Sequence, residues 1–472
     1  MSLLRRVRET PKPAAPARPN LPQQPAAVVE TPEPLAEAPI VAPTVNDEAL
    51  RQLRRSIVEQ LSASVDASLE VKRTPKTVRL LSERFFALYQ QSGAQLSEPE
   101  QKHLFERVLD ELVGFGPIQP LLDDPTVSEV MVNGPDLIYY EHKGKVLESP
   151  VRFDDDAHVM RVVERIIRPL GRRVDRKTPM VDARLPDGSR VNIIIPPSAL
   201  NGPTITIRKF PLKWLSVGDL IAYGSLTPPM AEFLRACVVS RLNVVVSGGT
   251  GSGKTTLLNV LSSYVPSDER IVTIEDAAEL QLQQKHVVRL ESKPAELDGS
   301  GQVSIRDLVK NSLRMRPERI IVGEVRDGAA LDMLQAMNTG HDGSLTTVHA
   351  NSPRECTSRL ETLCLMAGLD LPARVIREQI ASAIDLIIQQ ARLSDGSRKI
   401  TYLTAVSGME EDVIVLQDIF KYQESGRDAR GGVLGEIRPT GLRPRFTPRL
   451  EQNGFKLPPE IFGVEEFGPR RR

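Results

Sequence analysis

A glycine-rich segment near the middle of the chain constrains the fold more than any other feature. It reads GGTGSGKTT over residues 248–256 and fits the pattern G-x-x-x-x-G-K-[ST] from Gly248 to Thr255. The apolar run NVVV precedes it and the amphipathic run KTTLLNVLSSYV follows it, which indicates a buried strand, a tight turn and a helix. Backbone N–H groups of such a turn surround phosphate oxygens at the positive end of the helix dipole. The segment predicts a phosphate-binding loop; the alternative is a strand-to-helix turn without a ligand.

The positions of this loop have different expected roles. Lys254 would reach the β- and γ-phosphates of a nucleoside triphosphate, and the Thr255 hydroxyl would bind Mg²⁺. The loop residues expected to bind the nucleotide are Gly248, Thr250, Gly251, Ser252, Gly253, Lys254, Thr255 and Thr256. ATP and Mg²⁺ are therefore the expected ligands.

The segments around the loop predict an α/β fold. LNVVVSGG, RIVTIED, VVRL, RIIVGEV and SLTTVHA read as strands separated by helical stretches, with more helices after the last of them. Such alternation is typical of a parallel sheet with helices on both faces. We assign this α/β domain to residues 229–423.

The remaining chain divides by composition and periodicity. Ten prolines fall between residues 11 and 43, so a core cannot form there. Helical spacing follows, for example at Leu81, Phe85 and Leu88, and VDARLPDGSRVNIII predicts a β-hairpin around Pro-Asp-Gly. The expected parts are a disordered tail at 1–46, a helical segment at 47–112, an α+β domain at 113–212, a linker at 213–228 and an irregular extension at 424–472.

The composition narrows the classes of partner. Lys+Arg and Asp+Glu both number 61, and aromatic residues make up 4% of the chain. A basic field and stacking platforms for nucleic acid are therefore not evident, and we expect no nucleic-acid partner. Three cysteines without metal-type spacing favour a reducing compartment. The longest apolar runs are too short to cross a bilayer, so any membrane contact is expected to be peripheral.

Two further strands end in carboxylates. TIEDAAEL carries Glu275 and Glu279, which would orient water or the hydration shell of Mg²⁺; the alternative is a helix N-terminus that favours acids. RIIVGEVRD has Gly323 where nucleotide hydrolases usually carry an aspartate, followed by Glu324. Mg²⁺ often needs one or two protein ligands, so Thr255 with Glu324 acting through water would suffice. Gly323 would let Glu324 and the backbone approach the nucleotide.

Other polar residues have two readings each. His349 ends the strand SLTTV, where it would lie near the γ-phosphate, although a histidine at a strand end is often structural. His341 and His349 lack the partners of a zinc site. Residues 161–177 carry seven basic and two acidic side chains. They would bind lipid head groups or nucleic acid, or form the solvated face of a half-buried helix.

Together these motifs resemble the ATPases of type II and type IV secretion systems and type IV pili. Four sequence motifs of that superfamily, called boxes, have counterparts in this chain. They are residues 248–255, TIEDAAE (273–279), IIVGEVRD (320–327) and GSLTTVHA (343–350). In that superfamily a glycine in the second strand is normal. GFGPIQPLLDDPTVSEVMVNGP, DARLPDGSRVN, GPTITIRKF and GLRPRF are similar to the CpaF group, the motors of tight-adherence (Flp-type) pili. The resemblance covers about residues 110–470.

The resemblance implies a RecA-like motor domain preceded by a PAS-like α+β domain, with ATP between them. It implies a homohexamer in the cytoplasm, peripheral at the inner membrane through pilus platform proteins. Arg190 and Arg208 match the arginines that grip the phosphates, with Arg184 as a further candidate. Read without the family, each is equally well a solvated arginine on a sheet face. Glu275 is the favoured catalytic carboxylate, with Glu279 next and Glu324 assisting the metal. Ala277 stands where this box usually has proline, which leaves the choice of carboxylate open.

Three other functions fit parts of the pattern. A VirB11-like ATPase of a type IV secretion channel would use the same motifs to move protein or DNA. A RecA-like nucleic-acid translocase is opposed by the neutral charge and the scarcity of aromatic residues. A nucleotide switch without hydrolysis is suggested by the missing aspartate in RIIVGEV.

Overall fold

The computed structural model describes residues 47–64, 73–142, 144–210, 215–295, 300–429 and 431–463. The chain divides into two compact units, Met1–Gly114 and Phe115–Arg472. The tail expected at 1–46 lies outside the described residues.

The described residues of the first unit, 47–64 and 73–114, form the helices α1 (Asp47–Ser64), α2 (Pro75–Gln91) and α3 (Glu98–Val113). The side chain of Thr74 accepts a hydrogen bond from the backbone N–H of Thr77 and so caps α2. The helical spacing noted in the sequence is confirmed, because Leu81 and Phe85 are buried in the core between the helices.

The second unit begins with an antiparallel sheet. Its elements, in chain order, are α4 (Gln119–Asp123), β1 (Val127–Asn133), β2 (Ile138–His142), β3 (Lys145–Glu148), α5 (Asp156–Ile167), β4 (Met180–Arg184), β5 (Arg190–Ile194) and β6 (Thr204–Arg208). The strand order is β3-β2-β1-β6-β5-β4. The apolar face of α5, which includes Val159, Val162 and Ile166, is buried in the same core as the inward side chains of the strands. The sheet therefore has one face covered by this helix.

The hairpin predicted around Pro-Asp-Gly is confirmed. Leu185 and Ser189 close the turn between β4 and β5, and Gly188 has a φ of +93° that favours glycine. On the neighbouring strands, Arg190 lies directly opposite Arg208. The two arginines assigned to phosphate binding thus lie side by side on this sheet.

The rest of the second unit is built on a nine-stranded sheet. Its elements are α6 (Val217–Ala222), α7 (Pro228–Val239), β7 (Val244–Gly248), α8 (Lys254–Ser262), β8 (Ile271–Glu275), β9 (Val287–Glu291), α9 (Ile305–Ser312), β10 (Arg319–Val322), α10 (Ala329–Asn338), β11 (Leu345–Val348), α11 (Pro353–Leu365), α12 (Ala373–Ala383), β12 (Leu386–Arg392), β13 (Arg398–Glu410), β14 (Val413–Arg427), β15 (Val433–Pro439) and α13 (Thr447–Gln452). The strand order is β15-β14-β13-β12-β7-β11-β10-β8-β9.

The six strands from β12 to β9 in this order are parallel, and helices cover both faces. Val244 and Val246 of β7 point into the core with α7 and α8. Val245 points into the core with α9 to α12 on the opposite face. The α/β fold predicted from the alternating pattern is confirmed for this part.

The segment after α12 differs from the prediction. The helices expected after SLTTVHA are present as α11 and α12, but the strands β12 to β15, each antiparallel to the next, were not predicted. Strand β15 and the helix α13 lie within the extension that was expected to be irregular at 424–472. Along β14 the burial pattern is mostly intermediate or exposed, so the alternation that reveals a strand in a sequence is weak. Pairing with β13 specifies this strand, and a local pattern does not report pairing.

The carboxyl ends of the parallel strands meet at one edge of the sheet, where ligands bind in open α/β folds. Strand β7 ends at the phosphate-binding loop, β8 at Glu275 and β10 just before Gly323. Among the described residues, no helix is long and apolar enough to cross a membrane.

Candidate functional site

A cleft of about 410 Å³ opens at this edge, between the nine-stranded sheet and the antiparallel sheet. It is lined by Gly188, Arg190, Arg208, Lys209, Phe210, Leu215, Thr250, Gly251, Gly253, Lys254, Thr255, Thr256, Asn259, Glu275, Asp276, Ala277, Ala278, Glu279, Gly323, Glu324, Arg326 and His349. Most of the site residues predicted from the sequence are therefore brought together in one place.

Glycines shape the phosphate-binding loop at the floor of this cleft. Gly251 has a φ of +69° and Gly253 a φ of +97°, a region that side-chain-bearing residues rarely occupy. A Cβ on Gly248 would lie 2.4 Å from the carbonyl oxygen of Gln390. Ser252 is 1% exposed and donates its hydroxyl to the carbonyl of Gly249. Gly248 and Ser252 thus support the loop from beneath, whereas Thr250, Gly251 and Gly253 line the cleft.

Lys254 is the first residue of α8 and lies in the cleft without a carboxylate bonded to it among the described residues. Its Nζ donates to the carbonyl of Gly249 at 3.1 Å. Burial lowers the pKa of Lys254, and the positive charge of Arg326 adds to the effect while Glu324 opposes it. A partly desolvated ammonium whose bonded partner is its own loop is placed to receive phosphate oxygens.

Glu275 is the most buried carboxylate of the cleft, at 4% exposure. Its Oε2 accepts hydrogen bonds from the backbone N–H groups of Glu279 and Leu280, at 2.8 and 2.9 Å. Its Oε1 is buried and has no hydrogen-bond partner in the described structure. Burial raises the pKa of Glu275. A fixed carboxylate with a free oxygen and a raised pKa is suited to accept a proton from water.

Gly323 leaves room for Glu275. A Cβ at position 323 would lie 2.9 Å from the Cγ of Glu275, which is closer than such atoms pack. Glycine at position 323 was expected to let Glu324 approach the nucleotide. The structure gives a different physical reason for it, which is the space that Glu275 needs. The side chain usually found here would occupy the volume that the glutamate from β8 fills.

Glu324 takes part in a charged chain across the cleft. Arg326 Nη2 donates to Glu324 Oε2 at 2.7 Å, and its Nη1 lies 3.7 Å from Asp276 Oδ2. The hydrogen bond to Glu324 raises the pKa of Arg326. Sequence analysis did not select Arg326, although it stands two residues after Glu324 in the same motif.

The arginines of the antiparallel sheet meet the second carboxylate segment. Arg190 Nη1 lies 3.1 Å from Glu279 Oε1, and its Nη2 donates to the carbonyl of Ala277 at 2.9 Å. Arg208 lines the same cleft and pairs at 3.7 Å with Glu129 of β1. Arg184 instead pairs with Glu291 of β9, at 3.1 Å. Arg190 and Arg208 therefore face the phosphate-binding loop.

The two histidines of the loop–strand–loop unit lie at opposite ends of β11. His349 follows the carboxyl end and lines the cleft, whereas His341 precedes the amino end. Phe210, Leu215 and Asn259 add apolar and amide groups to the cleft. Sequence analysis gave none of them a role in the site, although Phe210 ends the motif GPTITIRKF.

The residues present fit Mg²⁺ better than a metal held by the protein alone. In the described part of the chain, no three His, Cys, Asp or Glu side chains form a metal cluster. The cleft offers the Thr255 hydroxyl and the Glu324 carboxylate beside the loop. Mg²⁺ prefers such oxygen ligands and takes the remainder from phosphate and water.

The comparisons with known proteins agree with this geometry. A family described as type II/IV secretion system protein matches residues 111–427, which include every residue that lines the cleft. A putative conjugal transfer protein of Mycobacterium tuberculosis strain H37Rv is 36% identical over 342 residues, covering 68% of this chain and 97% of that protein. The type IV secretion system protein VirB11 of Bartonella henselae is 33% identical over 338 residues, covering 63% and 93%.

Solved structures are similar as well. The crystal structure of the VirB11 ATPase from the Brucella suis type IV secretion system, in complex with sulphate, is 30% identical, with a TM-score of 0.34. The match covers 61% of this chain and 92% of that one.

Proposed function

This chain belongs to the type II/IV secretion system protein family and is an ATPase, and we propose that it is the ring motor that assembles a tight-adherence pilus. The motor would hydrolyse MgATP in the cleft between its two sheets. It would use the released energy to move the inner-membrane proteins on which the pilus grows. It would also retract the fibre if the same stroke runs in reverse.

The observation that carries the ATPase chemistry is the pairing of two groups in the cleft. Lys254 lies at a helix N-terminus with its ammonium bonded to its own loop, and Glu275 presents a buried oxygen without a partner. The first group suits a triphosphate and the second suits the attacking water. We propose that Glu275 accepts the proton of that water and that Glu279 orients the backbone segment between them.

Mg²⁺, when bound, would supply charge neutralisation between the β- and γ-phosphates. Thr255 would donate its hydroxyl oxygen to the ion and Glu324 would hold its water shell. His349, on the same edge, would contact the γ-phosphate side of the cleft. Arg326 would have to leave Glu324 for that carboxylate to serve the ion.

The arginines of the antiparallel sheet give the motion a physical basis. A guanidinium forms two parallel hydrogen bonds with a phosphate and keeps its charge at any working pH. Arg190 and Arg208 would close on the γ-phosphate and open again after hydrolysis. Arg190 already reaches the Ala277–Glu279 segment, so its transfer to phosphate would couple the nucleotide to the position of the sheet.

The assignment to a pilus is supported by the segments DARLPDGSRVN and GPTITIRKF, which look characteristic of the CpaF group. We propose six identical subunits in a ring, on the cytoplasmic face of the inner membrane, bound to polytopic platform proteins. The absence of a membrane-crossing helix among the described residues is compatible with attachment through partners.

A type IV secretion channel is the second candidate. It is favoured by the relatives, since a conjugal transfer protein and a VirB11 protein are 36% and 33% identical to this chain. In that role the same ring would move protein or DNA through a channel.

The ATPase assignment is tested on the purified full-length chain. We expect steady phosphate release from MgATP that falls by at least about a hundredfold in Lys254→Ala, with an unchanged unfolding temperature. Binding of ATP without any release in the wild-type chain would favour a nucleotide switch instead. A rate that rises severalfold with added DNA would favour a nucleic-acid translocase.

The pilus assignment is tested in cells. Cells whose chromosomal copy carries Lys254→Ala should lose surface pili while secreting their other exported proteins normally. Normal piliation together with loss of DNA or protein transfer would assign the chain to a secretion channel.

A further inference from the structure

A pair of arginines outside the cleft faces the opposite side of the phosphate-binding loop. Arg392 is the last residue of β12 and Arg398 the first of β13, and they lie directly opposite each other across the hairpin. Like charges in this position destabilise a strand pair. A contact elsewhere must offset the repulsion between the two guanidinium groups, and Arg398 makes one with the neighbouring phosphate-binding loop.

Arg398 is bonded to the phosphate-binding loop itself. Its Nε donates to the carbonyl oxygen of Gly251 at 2.9 Å. A Cβ on Gly253 would lie 3.2 Å from the Cδ of Arg398, so the side chain packs along the turn just before Lys254. The hydrogen bond fixes one carbonyl in the part of the loop whose N–H groups face the phosphates.

Arg392 lies between that loop and the antiparallel sheet. Its Nη1 is 3.8 Å from the position a Cβ would take on Gly251, and its Nη2 is 3.6 Å from the corresponding position on Gly144. Gly144 belongs to the turn between β2 and β3. Among the described residues, Arg392 has neither a hydrogen bond nor an ion pair. Its guanidinium therefore lies close to both segments without a hydrogen bond to either.

The antiparallel sheet also contributes charges to Arg398. Burial, Arg392 and Arg208 lower the pKa of Arg398, while the carboxylate of Glu141 on β2 opposes them. Two other guanidinium groups and one carboxylate thus act on Arg398. Glu141 lies on β2, the strand that leads into the turn with Gly144, so its charge comes from the same hairpin that Arg392 approaches.

The hairpin that carries the two arginines is held in place by hydrogen bonds at its turn and along its strands. Asp395 at its turn accepts hydrogen bonds from the backbone N–H groups of Ser397 and Val433, at 2.9 and 2.8 Å. Arg427 Nη2 donates to the Ser394 hydroxyl at 2.8 Å. On the other side, β12 pairs with β7 up to the opposition of Gln390 and Gly248. The hairpin is therefore hydrogen-bonded to neighbouring segments on both sides.

We propose that Arg398 is a positioning residue that holds the phosphate-binding loop in its nucleotide-ready shape through the Gly251 carbonyl, and that Glu141 and Arg392 make this hold depend on the antiparallel sheet. When the β2–β3 hairpin moves, Glu141 moves with it and the restraint on Gly251 changes. This inference rests on ATP hydrolysis at the loop and adds a second connection between the sheets, besides the contacts of Arg190 with Ala277 and Glu279.

Two substitutions at one position separate the hydrogen bond from the charge. Arg398→Gln keeps an N–H donor at the place of Nε without the charge, and Arg398→Met keeps the length without a donor. We expect the KM for MgATP to rise about tenfold in the Met variant, the value of one charge-assisted hydrogen bond. The kcat should stay within about twofold of wild type, because no group that contacts reacting atoms is lost. The Gln variant should recover most of the KM.

A double-mutant cycle tests the dependence on the antiparallel sheet. Glu141→Gln should raise the KM severalfold in the wild-type background and have no effect in Arg398→Met. Additive effects would mean that Glu141 acts elsewhere, and that part of the proposal would be wrong. The unfolding temperature of each variant shows whether a change in KM reflects loss of folding.

Arg438→Met is the control variant. It removes an exposed arginine of β15 that pairs with Glu436, and its KM should equal that of wild type.

If Arg398→Met lowers the unfolding temperature and leaves the KM unchanged, Arg398 is only structural and the proposal fails. If Gln and Met behave alike, charge alone matters and the hydrogen bond to Gly251 is not the cause. An inactive wild-type chain would instead contradict the ATPase assignment itself.

Discussion

The buried carboxyl group of Glu275 makes the stability of the folded protein depend on pH. Burial raises its pKa above the ordinary value of 4.5, so the folded state binds this proton more tightly than the unfolded chain does. Stability from this group is therefore present at low pH and is lost as the pH rises through the raised pKa. In its proposed role as the general base, Glu275 acts in the deprotonated form, which predominates above that pKa.

We expect Glu275→Gln to lower kcat by about 10²–10⁴, the usual contribution of a general base. The amide oxygen still accepts the two backbone hydrogen bonds, and no buried charge remains. Urea unfolding at pH 8 should therefore show a variant at least as stable as wild type, with ATP affinity retained.

The pH dependence of wild-type kcat is the matching measurement. Its acid limb should fall at a pH above 4.5, following the raised pKa. An acid limb at the ordinary glutamate value, or normal turnover in the Gln variant, would remove Glu275 from the catalytic role.

Position 323 gives a second prediction at this scale. Gly323→Ala places a methyl group 2.9 Å from the Cγ of Glu275, and overpacking of this kind costs about 1–3 kcal/mol. We expect a lower unfolding temperature together with a reduced kcat, since the carboxylate must shift.

Gly218→Ala is the control, because a methyl group there meets its nearest atom at an ordinary 3.5 Å. It should leave both the unfolding temperature and kcat near wild type. Full activity in Gly323→Ala would show that Glu275 tolerates displacement.

Some site residues can be found by their position in a motif and others cannot. Lys254, Glu275 and Glu324 follow apolar strands whose carboxyl ends must meet, and the structure brings them together. Arg398 reaches the loop from 147 positions away in the chain, and nothing in RLSDGSRK indicates this contact. Whether Arg398 lies next to the phosphate-binding loop depends on which strand pairs with β7.

At the scale of elements, the turn between β12 and β13 controls the placement of both its arginines. Hydrogen bonds from Val433 and Ser397 lower the pKa of Asp395 to about 2, from an ordinary 3.8. A carboxylate with a lowered pKa in the folded state stabilises the protein above pH 3.8, and this contribution disappears as the pH falls towards about 2.

We expect Asp395→Asn to lower stability at pH 7 and to raise the KM for ATP. The stability difference from wild type should shrink between about pH 4 and pH 2, as urea unfolding at several pH values would show. Asp268→Asn removes an exposed carboxylate without a hydrogen bond among the described residues and serves as the control. A stability difference that does not change with pH would mean that the Asp395 charge is not its source.

The elements that were predicted correctly share a physical property. Strands β7, β8, β10 and β11 are buried along their whole length, so their sequences are rich in apolar and β-branched residues. Strand β15, by contrast, forms an edge with mostly exposed or half-buried residues. Its sequence VLGEIRP shows no clear period, because solvent and one neighbour are its surroundings.

At the scale of the whole molecule, the cleft belongs to one unit. Every residue that lines it lies between Gly188 and His349, within Phe115–Arg472. The first unit has its own apolar core, which includes Leu61 and Val108. The second unit should therefore hold ATP without the first.

We expect a chain of residues 115–472 to unfold cooperatively and to bind ATP within about threefold of the full-length affinity, since the contacts at the site are unchanged. Fluorescent nucleotide titration of both chains makes the comparison. A fragment that folds but binds far more weakly would assign part of the site to the first unit.

The contact between position 323 and Glu275 also limits how this protein can evolve. A side chain at 323 would press on the glutamate of β8, and the strain is relieved when that glutamate is replaced by something smaller. In the catalytic role proposed for Glu275, such a replacement would also abolish hydrolysis. The residue accepted at position 323 therefore depends on the residue present at position 275.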